Sequence, residues 1–209
     1  MSEANRSVAG IILCGGQSSR MGRPKAWLPF AGEIMLPRVA RILSAVVEPI
    51  VVVGAPEQEL PPLPADVIVT RDETPGQGPL QGLAAGLAAL EGRTSAAYVS
   101  SCDAPLLQPA FVRRMIVALG EDAIAVPFVE GRHQPLAAVY RLDVLASVRR
   151  LLEQGRRRPL FLFEENATRL VTEDALRGVD PELLSLRNTN TPEEYAEAVR
   201  LAESRRTTS

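Results

Sequence analysis

Cysteine is scarce in this chain: there are two, Cys14 and Cys102, in 209 residues. Two thiols make no disulfide framework, and neither stands in a C-x-x-C or zinc spacing. The chain therefore suits a reducing compartment, and a cytoplasmic location is the expectation. Long apolar runs are also missing, and none approaches the ~20 residues that a membrane-spanning helix needs. The opening residues, MSEANRS, are short and polar and lack the apolar centre of a signal peptide. Nor is there an excess of one charge. Lys+Arg number 23 against 25 Asp+Glu, a formal net charge of -2, which excludes a general attraction to nucleic acid or anionic membrane. Arg205 and Arg206 near the end are too few for a nucleic-acid arm.

What remains is an ordinary globular balance, 46% apolar and 23% charged, at a length that accommodates one domain with a core of useful size. Residues 1–209 are read as a single domain. Short apolar runs alternate with helix-like segments. Strands are expected at 8–13 (VAGIIL), 50–53 (IVVV), 67–69, 96–100, 123–126 and 136–140. Helices are expected at 36–47, 80–90, 109–119, 142–153 and 192–203, with Pro79 at a favourable first position. Thr191 followed three residues later by Glu194 reads as a capping box for the last helix. Strands this apolar, alternating with helices, predict an α/β fold with a mostly parallel sheet covered on both faces. Such sheets bind ligands at the carboxyl ends of their strands.

The first strand runs into CGGQSSRMGRPK at residues 14–25. Adjacent glycines, Gly15 and Gly16, let backbone N–H groups approach an anion closely. Ser18 and Ser19 add hydroxyl donors. Arg20, Arg23 and Lys25 place three cations within six residues, with no acid among them. A triphosphate needs this combination of backbone amides and mobile cations. A flexible glycine turn with solvated basic residues has the same composition, but it does not explain the position just past a buried strand. The pattern is neither a Walker A loop nor the G-x-G-x-x-G dinucleotide fingerprint. The fourth strand ends at SCDAP, residues 101–105. Asp103 there is either the cap of the following helix or a ligand for Mg²⁺, which takes one or two carboxylates together with substrate phosphates and water. Asp72, after the third strand, reads by itself as an ordinary loop acid.

The segment LCGGQSSRMGRPK resembles the signature L-x-G-G-x-S-x-R-M-G-x-x-K of nucleotidyltransferases that handle the molybdenum cofactor, and it is most similar to the molybdenum cofactor guanylyltransferases. Three further segments match in order: GPLQGL at 78–83, SCDAPLL at 101–107 and NTNTPEE at 188–194. The resemblance implies a Rossmann-like, three-layer α/β/α nucleotidyltransferase fold. Its nucleotide-binding half spans about 1–107 and its acceptor-binding half about 108–209. It implies transfer of GMP from GTP to the phosphate of molybdenum-bound molybdopterin, with pyrophosphate released and Mg²⁺ as the metal.

By the same resemblance, Arg20, Lys25 and Asp103 are the catalytic residues, and Asp103 is the metal ligand. Leu13, Cys14, Gly15, Gly16, Lys25, Asp72, Gly78, Gly82 and Asp103 would bind the nucleotide. Gly15, Gly16 and the GPL run at 78–80 favour GTP over CTP. Arg132, His133, Asn188 and Asn190 would meet the acceptor, although Gln134 separates His133 from the proline that directly follows the family's histidine. His133 has an alternative reading as a packing residue, and the two asparagines as turn residues. The family often has asparagine where this chain has Gly54, so one side-chain contact to the nucleotide is lost. The resemblance also points to molybdoenzyme apoproteins or their chaperones as partners for the product. The alternatives are a cytidylyltransferase for the same cofactor, a guanylyltransferase acting on another phosphorylated acceptor, and a non-catalytic cofactor carrier.

Overall fold

The computed structural model describes residues 8–15, 24–72, 74 and 78–206. In chain order the elements are β1 (Val8–Leu13), a small antiparallel pair β2 (Pro29–Phe30) and β3 (Glu33–Ile34), and α1 (Met35–Ser44). Next come β4 (Ile50–Gly54), β5 (Ile68–Arg71), α2 (Pro79–Ala88), β6 (Ala96–Ser101), α3 (Pro109–Leu119) and β7 (Ile124–Val129). The remainder is β8 (Arg132–His133), β9 (Val139–Arg141), α4 (Val144–Glu153), α5 (Pro159–Glu165), β10 (Thr168–Thr172), α6 (Glu173–Arg177) and α7 (Pro192–Arg206). One sheet runs in the order β10-β7-β9-β6-β1-β4-β5, with β8 paired to β7. All neighbours are parallel except β9, which is antiparallel to both β6 and β7, and the β7–β8 pair. The expected mostly parallel α/β architecture is present.

One expected strand differs. Residues 136–140 are apolar throughout, yet Pro135 opens a 3-10 turn over Pro135–Ala137 and pairing begins only at Val139. Proline supplies no N–H to a ladder, so the chain turns before it pairs.

Successive residues of β1 serve opposite faces, as a pleated strand requires. Ile12 joins a cluster with Leu36, Val39 and Leu43 of α1 and with Phe111, Val112 and Met115 of α3. Ile11 and Leu13 join the opposite cluster with Leu80, Leu83 and Leu87 of α2 and with Val144, Leu145 and Val148 of α4. The strand must be apolar on both sides because both sides are core. The helix α2 lies close to β1, and Gly86 is what allows it. A Cβ on Gly86 would stand 2.6 Å from Cγ2 of Ile11, a side chain with no exposure. We expect Gly86→Val to cost about 1–3 kcal/mol by overpacking. A thermal melt no lower than that of the parent would contradict this packing.

A third cluster brings the end of the chain back to the start. Phe30 of β2, Met35, Leu106 and Leu184 pack with Ala198 and Ala202 of α7. Tyr195 donates its hydroxyl hydrogen to the carbonyl of Pro29. The capping box forms as expected: Glu194 N–H bonds Thr191 Oγ1 at 3.2 Å, and Thr191 N–H bonds Glu194 Oε2 at 3.1 Å. Among the described residues, no helix is long and apolar enough to cross a membrane.

Candidate active site

From β1 the chain goes first to β4 and β5 on one side, then returns to β6 on the other. The crevice between β1 and β6 is therefore the topological switch point, where open α/β sheets take their ligands. A cleft of about 490 Å³ opens there. Its floor is Leu13 at the end of β1 with Cys14 and Gly15 after it, and Ser101 at the end of β6 with Cys102 and Asp103 after it. Val53, Ala55, Asp72, Gly78, Pro79 and Gly82 line one side, and Lys25, Leu136, Asn188 and Asn190 also line it. Gly78 has φ of +84°, a conformation natural to glycine, and it turns the chain into α2.

The charged centre is assembled from distant parts of the sequence. Lys25 follows Pro24 on a 3-10 turn, and its Nζ lies 2.5 Å from Asp103 Oδ2 and 2.9 Å from Asn190 Oδ1. Side-chain exposure is 18% for Lys25 and 11% for Asp103, so the pair is largely shielded from water. The other carboxylate oxygen, Oδ1, accepts a hydrogen bond from the Ser101 hydroxyl. The backbone is tied down too, since Thr189 N–H donates to the Asp103 carbonyl at 3.0 Å. Thr189 is fully buried. The segment that presents it is anchored by Asp180, whose carboxylate accepts the N–H groups of Leu184 and Ser185 at 3.0 and 2.8 Å. Ser101, Thr189 and Asp180 went unnoticed in the sequence. Only Ser101 carried a signal, a hydroxyl two residues before Asp103.

The other side of the cleft explains Gly54. A Cβ at this position would meet Nη1 of Arg71 at 2.5 Å. That nitrogen donates to the carbonyls of Ala55 and Gln58 at 3.1 and 2.8 Å. Gln58 in turn accepts from Ala55 N–H at 3.0 Å and donates to the Cys14 carbonyl at 3.3 Å. The side chain of Arg71 thus occupies the room a larger residue at 54 would need, and the turn it clamps braces the entry to the glycine loop. Gly54→Asn would displace the guanidinium from both carbonyls, at a cost of about 1–3 kcal/mol. We expect a lower Tm for Gly54→Asn and partial recovery in Gly54→Asn/Arg71→Ala. Equal melting of the single variant and the parent would show that the clamp is dispensable. Asp72 sits at the cleft wall, with its Oδ1 capping Thr74 N–H at 3.0 Å.

Of the remaining expected site residues, Gly16 and Arg20 lie outside the described residues. Arg132 is exposed on β8 and does not line the cleft. His133 is also outside the lining. Its ring packs 5.0 Å from that of Phe128 and 5.1 Å from that of Phe163. Cys14 and Cys102 are both free and buried. The hydrogen bond with the Cys102 thiol, followed by burial, holds the Cys14 thiol well above the usual range.

Among the described residues, no group of three His, Cys, Asp or Glu side chains gathers to cage a metal. The donor set is instead one hard carboxylate, Asp103, in a cleft that Asn188 and Asn190 also line. This fits a divalent ion that completes its shell with substrate phosphates and water.

The chain is similar to known proteins along most of its length. The family model for the MobA-like NTP transferase domain matches residues 10–168. A probable molybdenum cofactor guanylyltransferase of Mycobacterium avium is 38% identical over 188 residues, covering 88% of this chain and 91% of that protein. A protein of the same description from Mycobacterium tuberculosis is 39% identical over 173 residues, covering 80% and 85%. Among solved structures, molybdopterin-guanine dinucleotide biosynthesis protein A of Archaeoglobus fulgidus has the same fold, with a TM-score of 0.78 at 22% identity over 94% of this chain and 100% of that one. A cleft at the β1–β6 switch point, a lysine and an aspartate joined across its floor, and relatives matched along most of their length agree on one assignment: the chain belongs to the MobA-like NTP transferase family.

Proposed function

We propose that this protein transfers GMP from GTP to the terminal phosphate of molybdenum-bound molybdopterin, giving the guanine dinucleotide cofactor and pyrophosphate. The observation that carries this reading is the Lys25–Asp103–Asn190 cluster at the cleft floor, in a chain whose relatives are described as molybdenum cofactor guanylyltransferases. The attacking phosphate is already ionised at neutral pH, so no strong general base is required. What this chain contributes is positioning and charge. Lys25, together with Arg20, neutralises the triphosphate and the departing pyrophosphate. Asp103 is the residue that would hold Mg²⁺, which when bound supplies positive charge to the reacting phosphates. Ser101 holds the Asp103 carboxylate in place for that task.

The base is assigned to the side of the cleft formed by Asp72, Gly78 and Gly82. The acceptor is assigned to the side of Asn188 and Asn190, with Arg132 and His133 outside the lining. We place the reaction in the cytoplasm, where two free buried thiols stay reduced. The test supplies purified protein with Mg²⁺, molybdenum-loaded molybdopterin and equal GTP and CTP, and identifies the dinucleotide by mass. The guanine dinucleotide is expected, with pyrophosphate release that requires the pterin. A cytosine dinucleotide, or pyrophosphate release independent of the pterin, would overturn the assignment.

A further inference from the structure

The cleft floor holds two thiols to which nucleotidyl transfer assigns no chemical step, those of Cys14 and Cys102. The parallel β1–β6 ladder pairs Leu13 with Ser101. Cys102 N–H continues it by donating to the Leu13 carbonyl at 3.0 Å. The two cysteines are therefore opposite one another, one step beyond the strands. Both side chains enter the same core cluster, so they point to the same face. Adjacent strands stand about 4.8 Å apart, inside the roughly 4.4–6.8 Å Cα separation of disulfides. Both residues also line the cleft, at 6% and 5% exposure, so the cleft is the route by which a small oxidant would approach them.

We propose that Cys14 and Cys102 form an oxidisable dithiol in the floor of the nucleotide cleft, which a peroxide converts to a disulfide that shuts the site. One sulfur attacks a peroxide oxygen, the O–O bond breaks, and the leaving hydroxide departs as water after taking the thiol proton. The second sulfur attacks the resulting sulfenic acid, the S–O bond breaks, and a second water leaves. Two electrons pass from the thiols to the peroxide, and a dithiol reductant reverses the change. A sulfur–sulfur bond of about 2.05 Å is much shorter than a thiol–thiol contact. The chain must move to form it, and the residues next in line are Gly15 and Asp103. A shift of about 1 Å at such positions costs on the order of 10²-fold in rate.

The shut-off rests on the nucleotidyl-transfer reading, whereas the disulfide does not, and the experiment separates them. Reduced full-length protein is treated with hydrogen peroxide, alkylated and digested without reduction, and the peptides are mapped by mass. A Cys14–Cys102 cross-linked peptide is expected, with an intact mass lower by two hydrogens. GTP binding should weaken at least about tenfold and return with dithiothreitol. Cys14→Ala and Cys102→Ala, each compared with its own reduced form, should show no reversible loss. Two alkylatable thiols, sulfinic acids or intermolecular dimers in treated protein would overturn the dithiol. A mapped disulfide with unchanged GTP binding would overturn the switch. Reduced protein lacking transferase activity would refute the functional reading, and the peptide map would still decide the chemistry.

Discussion

Asp103→Asn leaves a folded protein whose turnover falls on the order of 10²-fold or more, equivalent to about 2.7 kcal/mol of transition-state stabilisation. The replacement keeps the shape of the side chain and one oxygen for the Ser101 hydroxyl. It removes the negative charge that Lys25 now faces at 2.5 Å. It also turns an N–H donor toward that cation, so Lys25 loses its strongest partner while its bond to Asn190 can persist. The charge that would hold the metal goes as well, and the metal concentration for half-maximal rate should rise. Circular dichroism and a thermal melt establish folding, and pyrophosphate release measures turnover. A folded Asp103→Asn enzyme within threefold of the parent would remove this residue from the chemistry.

Lys25→Met is expected to lower kcat/KM for GTP on the order of 10²-fold, since one phosphate-directed cation is lost from a shielded site. The same change strands the Asp103 carboxylate without its counter-ion at 11% side-chain exposure, so the melting temperature falls too. Lys25→Arg discriminates charge from shape. It restores a cation, but a planar fork does not fit a position where one ammonium reaches oxygens at 2.5 and 2.9 Å. We therefore expect Lys25→Arg to recover stability more than turnover. Equal kcat/KM for Lys25→Met and the parent would mean that the triphosphate does not meet this residue.

Much of the framework was readable along the chain because its signals are local. The continuous apolar run of β1 announces a strand buried on both faces. Thr191 and Glu194 announce a helix start by the bonds they make to each other. Pro109 to Leu119 was read with both ends correct, since Pro opens that helix and Gly120 closes it. The helix α5 and the strand β10 were missed. A seven-residue helix after three arginines shows too little periodicity, and β10 is an edge strand that leaves Leu170 exposed. The antiparallel placement of β9 is a matter of which strands lie beside it, which no local pattern states.

At the site, Asp103 stood out because it sits just past a strand, and Lys25 because it is one of three cations in the loop that follows β1. The bond from Lys25 to Asn190 spans 165 residues of sequence, and the Gly54–Arg71 fit depends on space rather than on residue type. Both needed the folded chain.

The same long-range closure bears on biosynthesis. Lys25 emerges from the ribosome 165 residues ahead of Asn190, and Thr189 fastens the Asp103 carbonyl only when both segments are free. Domains fold from the N-terminus as they are made, so the sheet strands β1, β4 and β6 can associate while this centre is still open. A chain released before residue 188 would keep the helices and strands of the first half and lack the groups that anchor Lys25 and the Asp103 carbonyl. Docking of residues 189 and 190 onto the cleft is then the step that closes the centre around Lys25 and Asp103.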